Sequence, residues 1–101
     1  MENIGKAIKL LRQTHNLNQK DLATSAGLSK PYISEIENGR AIPSLGTLSK
    51  IGIALDVKPS EIMLLSEWYS DGQIVDESSI VGSIIHPKIL AMMAVIKNID
   101  K

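Results

Sequence analysis

The sequence predicts an all-α protein: five short helices over residues 1–65, then an extension, 66–101, that ends in an apolar helix. Three observations carry that prediction. Apolar residues recur at i, i+3, i+4 and i+7, the spacing of one helix face. Residues that start and stop helices alternate with those stripes in the right order. Aromatic residues are only 3% of the chain (Tyr32, Trp68 and Tyr69, with no Phe), so the core must be built from Ile, Leu, Val, Ala and Met, which suits packed helices.

Ile4, Ile8 and Leu11, with Ala7 beside them, define a first helix that runs toward Asn16, a residue suited to a left-handed helix end. Asn18 offers a side-chain cap, and Asp21 three residues later favours the positive end of a second helix, Gln19 to Ala26, which Gly27 stops. Ser29 caps again. Pro31 falls in the first turn of a third helix, where its missing N–H costs little. Ile33 and Ile36 form that helix's buried face before Asn38 and Gly39 end it. After the loop from Arg40 to Pro43, Ser44 caps a fourth helix with Leu48, Ile51 and Leu55 on one side. Its Gly46 and Gly52 each cost about 1 kcal/mol of helix propensity relative to Ala, so packing must hold it. Pro59 and Ser60 open a fifth helix, read as Glu61 to Leu65.

The remainder is different in kind. Residues 66–79 are polar and turn-forming apart from Trp68, Tyr69, Ile74 and Val75, and read as a linker with anchoring points. Residues 80–85 are β-branched and read as a short strand. From Pro87 onward Ile89, Met92, Met93, Ile96 and Ile99 fall at helical spacing, and Leu90, Ala94 and Val95 make the opposite side apolar as well. A helix apolar nearly all round requires burial on more than one side.

Composition removes several function classes. At 101 residues the chain has room for one core, so large catalytic barrels and doubly wound sheets are out. With no cysteine there is neither a disulfide nor a thiolate metal site, and two histidines, His15 and His86, do not make a multi-His site. No cofactor is expected. The charged start lacks the unbroken apolar run of a signal peptide or membrane span, so a cytoplasmic protein with no membrane partner is expected. Residues 1–65 hold eight Lys and Arg against six Asp and Glu, and residues 66–101 hold three against five, an asymmetry too small to name a partner.

The run Gln19 to Ile36, QKDLATSAGLSKPYISEI, resembles the helix-turn-helix of Cro and phage repressors, the XRE family. The match is a constellation: Gln19 opening helix two, small Ala23 in its middle, Gly27 in the turn, Ile33 and Ile36 inside helix three, Glu37-Asn38-Gly39 after it, and Pro43-Ser44 beyond. Ala23 must be small because helix three crosses closely over it, and Gly27 permits the tight turn. The resemblance covers residues 3 to 65 and implies a lambda-repressor-like DNA-binding domain at 1–65, with 66–101 as linker and dimerisation segment.

The resemblance implies that helix three lies in the major groove of double-stranded DNA, with Ser29, Lys30, Pro31, Tyr32, Ser34 and Glu35 as its base-reading face. Lys30 suits guanine O6 or N7, and Tyr32 a thymine methyl or a phosphate. Glu35 either accepts from a cytosine amino group or is a solvated charge. Gln19, Asn38, Arg40 and Lys20 are the implied phosphate contacts; Lys20, like Lys9 and Lys50, also reads as ordinary surface. Arg12 and Glu37 match a structural pair between helix one and the end of the recognition helix. Pro31 departs from relatives that place a hydrogen-bonding side chain there, which shifts the expected readout toward DNA shape.

The expected function is that of a sequence-specific transcriptional regulator, a dimeric repressor inserting helix 29–38 into a two-fold operator. Ile89, Met92, Met93, Ile96, Ile99 and Trp68 are its expected dimer contacts. An antitoxin-type protein, whose tail holds a protein partner while the bundle represses its own operon, uses the same surfaces. An enzyme is disfavoured: there is no nucleophile elbow, phosphate-cradling glycine loop or HExxH, His15 reads as a helix-end partner, and Asp71, Asp76 and Glu77 lack calcium-loop spacing.

Overall fold

Local capping chemistry sets the helix boundaries. The structure, a computed structural model, describes residues 3–67 and the backbone of residues 69–70 and 73–74. The elements are α1 (Ile4–Thr14), α2 (Gln19–Ala26), α3 (Lys30–Glu37), α4 (Leu45–Leu55), α5 (Pro59–Glu67), β1 (Tyr69–Ser70) and β2 (Gln73–Ile74). Asn16, at φ 56°, turns the chain after α1. A reciprocal capping box opens α2: Asp21 N–H donates to Asn18 Oδ1 at 2.7 Å and Asn18 N–H to Asp21 Oδ2 at 3.2 Å. Gly27, at φ 68°, is its left-handed cap. Ser29 Oγ accepts from Tyr32 N–H at the start of α3, and Ser44 Oγ accepts from Thr47 N–H at the start of α4. All three side-chain caps fall where the sequence placed them.

Two boundaries differ. The fifth helix starts at Pro59 and continues to Glu67, past the expected end at Leu65; Ser66 is buried and its hydroxyl donates to the Met63 carbonyl at 2.6 Å, closing the last turn. Within the segment read as a linker, β1 and β2 form a two-residue antiparallel pair with Tyr69 opposite Ile74 and Ser70 opposite Gln73. Asp71 and Gly72 separate them in sequence, a dipeptide favoured in two-residue hairpin loops. The strand expected over 80–85, the apolar helix from Pro87 with Ile89, Met92, Met93, Ile96 and Ile99, and Trp68 all lie outside the described residues.

The helices pack around one aliphatic core. α1 lies against α5 and α3, α2 against α3 and α4, and α4 against α5. Ile8, Leu11, Leu22, Ile33, Ile36, Leu48, Ile51, Leu55, Ile62 and Leu65 are fully buried, and Ala23 and Ala26 bring α2 close to α3. Two glycines allow contacts that a side chain would block. A Cβ on Gly52 would meet the Val57 carbonyl oxygen, and one on Gly5 the Ile36 carbonyl oxygen. The propensity lost at Gly52 is thereby exchanged for a tight α4–α5 connection, in which Val57 N–H donates to the Gly52 carbonyl at 2.8 Å. Ile42, Leu45 and Ile53 are the large apolar side chains left exposed among the described residues.

Candidate nucleic-acid interface

α3 presents the site because its other side is committed to the core. Ile33 and Ile36 are buried, which fixes the helix rotation. Ser29, Lys30, Pro31 and Glu35 are then exposed, and Ser34 is half-buried. Pro31, in the first turn, lacks only a backbone donor that has no intrahelical partner there. The N-terminal turn of α3 thus carries one cation, Lys30, and one turn later one anion, Glu35.

Tyr32 belongs less to the free face than its neighbours. Its ring is half-buried against the core, and its hydroxyl lies 3.5 Å from Thr47 Oγ1. Thr47 Oγ1 is in turn 3.0 Å from Ser44 Oγ, so three hydroxyls join α3 to the first turn of α4. Ser34 is tied as well, since Asn38 Nδ2 donates to its Oγ at 3.4 Å. Arg40 is exposed beyond the helix, with its backbone N–H bonded to the Glu35 carbonyl at 2.9 Å. Lys20 is exposed on α2.

Behind this face lies a buried polar network. Arg12 Nε donates to Glu37 Oε2 at 2.7 Å and Arg12 Nη2 to Glu37 Oε1 at 3.0 Å, a bidentate pair whose side chains are 10% and 1% exposed. Arg12 Nη1 donates to the Leu17 carbonyl at 2.8 Å, so the guanidinium also holds the turn between α1 and α2. Gln19 Nε2 donates to Glu37 Oε1 at 3.1 Å. The expected structural pair is present, and it includes Gln19, which sequence reasoning had assigned to phosphate alone. Leu17 and Thr47 were missed. A backbone carbonyl carries no sequence signal, and Thr47 read only as part of a helix start.

His15 caps α1, its Nδ1 donating to the Leu11 carbonyl at 2.8 Å, as expected of a helix-end partner. Among the described residues there is no group of three His, Cys, Asp or Glu able to hold a metal ion. The acidic residues Asp71, Asp76 and Glu77 lie outside them. Among the described residues no helix is long and apolar enough to cross a membrane.

Comparison with known proteins places this geometry among regulators. A helix-turn-helix family model, HTH_3, matches residues 8–62. The ImmF control region 10 kDa protein of Bacillus phage phi105 is 38% identical over 71 residues, covering 65% of this chain and 79% of that protein. The immunity repressor protein of the same phage is 40% identical over 60 residues, covering 59% of this chain and 42% of the repressor. Among solved structures, the clp gene regulator ClgR from Corynebacterium glutamicum superposes with a TM-score of 0.63 at 26% identity, covering 65% of this chain and 70% of that one. The similarity therefore spans most of the first relative but less than half of the phage repressor.

Proposed function

The chain belongs to the HTH_3 helix-turn-helix family, and from that premise we propose that it is a sequence-specific repressor that binds a two-fold operator as a dimer. The observation that carries this reading is the rotation of α3. With Ile33 and Ile36 buried, Lys30, Pro31 and Glu35 are turned outward on a short helix whose N-terminus is free to enter a groove. The likeness to a phage immunity repressor supports repression over activation. The relatives named above are a phage control-region protein, an immunity repressor and a gene regulator by description, which supports a regulatory reading.

In this reading Lys30 donates to guanine O6 or N7, and Glu35 accepts from a cytosine amino group or stays solvated. Tyr32, with its ring half spent on the core, contributes its exposed edge, while Ser29 and Ser34 offer hydroxyls already oriented by Tyr32 N–H and Asn38. Gln19, Lys20, Asn38 and Arg40 hold the phosphate backbone. Self-association falls to the tail, through Trp68, Ile89, Met92, Met93, Ile96 and Ile99, and a cytoplasmic location goes with the reading.

The test is fluorescence anisotropy of labelled duplexes, one from upstream of the protein's own gene and one scrambled, at two salt concentrations. Preference for one duplex by about a thousandfold supports specific repression. Weak, equal and strongly salt-dependent binding to every duplex tried, including those selected from a random pool, contradicts it. Lys30→Ala is expected to lose about 1–3 kcal/mol at a single base pair, leaving other positions unchanged, in a panel of singly substituted duplexes. Removing residues 68–101, which leaves α5 whole, is expected to give a folded monomer that no longer prefers a two-half-site duplex. A truncated chain that sediments as a dimer would sink the assignment of dimerisation to the tail.

A further inference from the structure

We infer that Glu37 is a positioning residue for DNA binding, acting through the amide of Gln19. The inference rests on the reading of Gln19 as a phosphate contact and deepens it. Glu37 lies at the end of α3 and Gln19 at the first position of α2, so no helix brings them together; the fold does. Glu37 Oε1 accepts from both Arg12 Nη2 at 3.0 Å and Gln19 Nε2 at 3.1 Å.

An ionised carboxylate has no hydrogen to donate, so it dictates which end of the Gln19 amide faces inward. The NH2 group must be there. One of its hydrogens is spent on Glu37, and the second, on the same nitrogen, remains for an anionic acceptor at the half-buried edge of α2. Without the carboxylate the amide is free to rotate and to turn its carbonyl oxygen outward, which repels a phosphate. Arg12 holds both oxygens of the carboxylate in a bidentate fork, at 2.7 and 3.0 Å, so Glu37 is itself fixed where it meets the Gln19 amide. The ion pair thereby has a role beyond joining α1 to α3: it sets the orientation of a donor on α2.

Removing Glu37 alone leaves Arg12 buried without its partner and endangers folding, so the test removes both members and compares R12M/E37M with the unaltered pair. The unaltered pair presents Gln19 with an acceptor only; R12M/E37M presents neither donor nor oxygen acceptor. Each full-length chain is prepared with Gln19 intact and with Gln19→Ala. Binding is measured by anisotropy on a labelled duplex of mixed sequence at low ionic strength, since phosphate contacts do not depend on sequence. With Gln19 intact, R12M/E37M is expected to bind about fivefold more weakly than the protein with the unaltered pair, the scale of one hydrogen bond. With Gln19→Ala the two are expected to bind alike, while any difference in their melting temperatures persists. The inference is overturned if Gln19→Ala weakens binding but R12M/E37M binds as tightly as the protein with the unaltered pair, or if their difference survives Gln19→Ala. If Gln19→Ala alone binds as tightly as the unaltered chain, the phosphate reading of Gln19 has failed, and the inference falls with it.

Discussion

Arg12→Met is expected to destabilise the domain by about 3–5 kcal/mol, because it leaves the Glu37 carboxylate, 1% exposed, without its cation and with the neutral Gln19 amide as its side-chain donor. For a domain of this size that corresponds to a fall in melting temperature of roughly 15 °C or more, read by circular dichroism. A total stability of about 5–15 kcal/mol leaves little margin against such a loss. The same substitution also frees the Leu17 carbonyl, to which Arg12 Nη1 donates, so the turn between α1 and α2 loosens as well. Replacing both members, as in R12M/E37M, removes the stranded charge and is expected to recover most of the loss. An unchanged melting temperature for Arg12→Met would show that the pair contributes nothing to the fold.

Gly5→Ala is the second large effect. The added methyl would point at backbone: its ideal position clashes with the Ile36 carbonyl oxygen and lies 3.1 Å from Glu37 Cα. Neither atom can rotate aside, so α1 must move off α3. The expected cost is at the upper end of overpacking penalties, about 3 kcal/mol, although alanine is the better helix former. The displaced segment of α3 is the one carrying Glu37, so DNA binding is expected to weaken along with stability. Gly46→Ala is the control. Gly46 lies in the exposed first turn of α4, where an added Cβ would meet only Ser44 Oγ at an ordinary contact distance of 3.8 Å, and there the same change is expected to stabilise by about 0.5–1 kcal/mol. Equal melting temperatures for the two variants would rule out the close α1–α3 crossing.

The helix boundaries were legible because capping is local. Asn18, Ser29 and Ser44 each bond a backbone N–H three residues on, and nothing distant is needed to make that happen. Asp56 ends α4 at φ 57°, a conformation Asp takes more readily than most residues but far less often than Gly, so its residue type is a weak signal for a helix end. Apolar spacing found the buried face of α3 but not the depth of its edges. Periodicity over eight residues does not separate Tyr32, half-buried and linked to Thr47, from Lys30, which is exposed. Gln19 shows the same limit. Its hydrogen bond to Glu37 spans 18 residues of sequence and depends on how α2 and α3 cross, and an amide at a helix start reads equally as a surface group. Gly5 left a weak trace, a poor helix former inside a good helix, but the carbonyl it admits belongs to another element.

The central claim, that α3 enters the major groove at two half-sites, is tested most directly by dimethyl sulfate protection on a duplex selected for binding from a random pool. The reagent methylates guanine N7, which faces the major groove. Two clusters of protected guanines separated by about one helical turn, with Lys30→Ala restoring reactivity at one matching position in each, is the result the account predicts. Tight, specific binding with every guanine N7 still reactive, on duplexes that carry guanine at each position in turn, would contradict it.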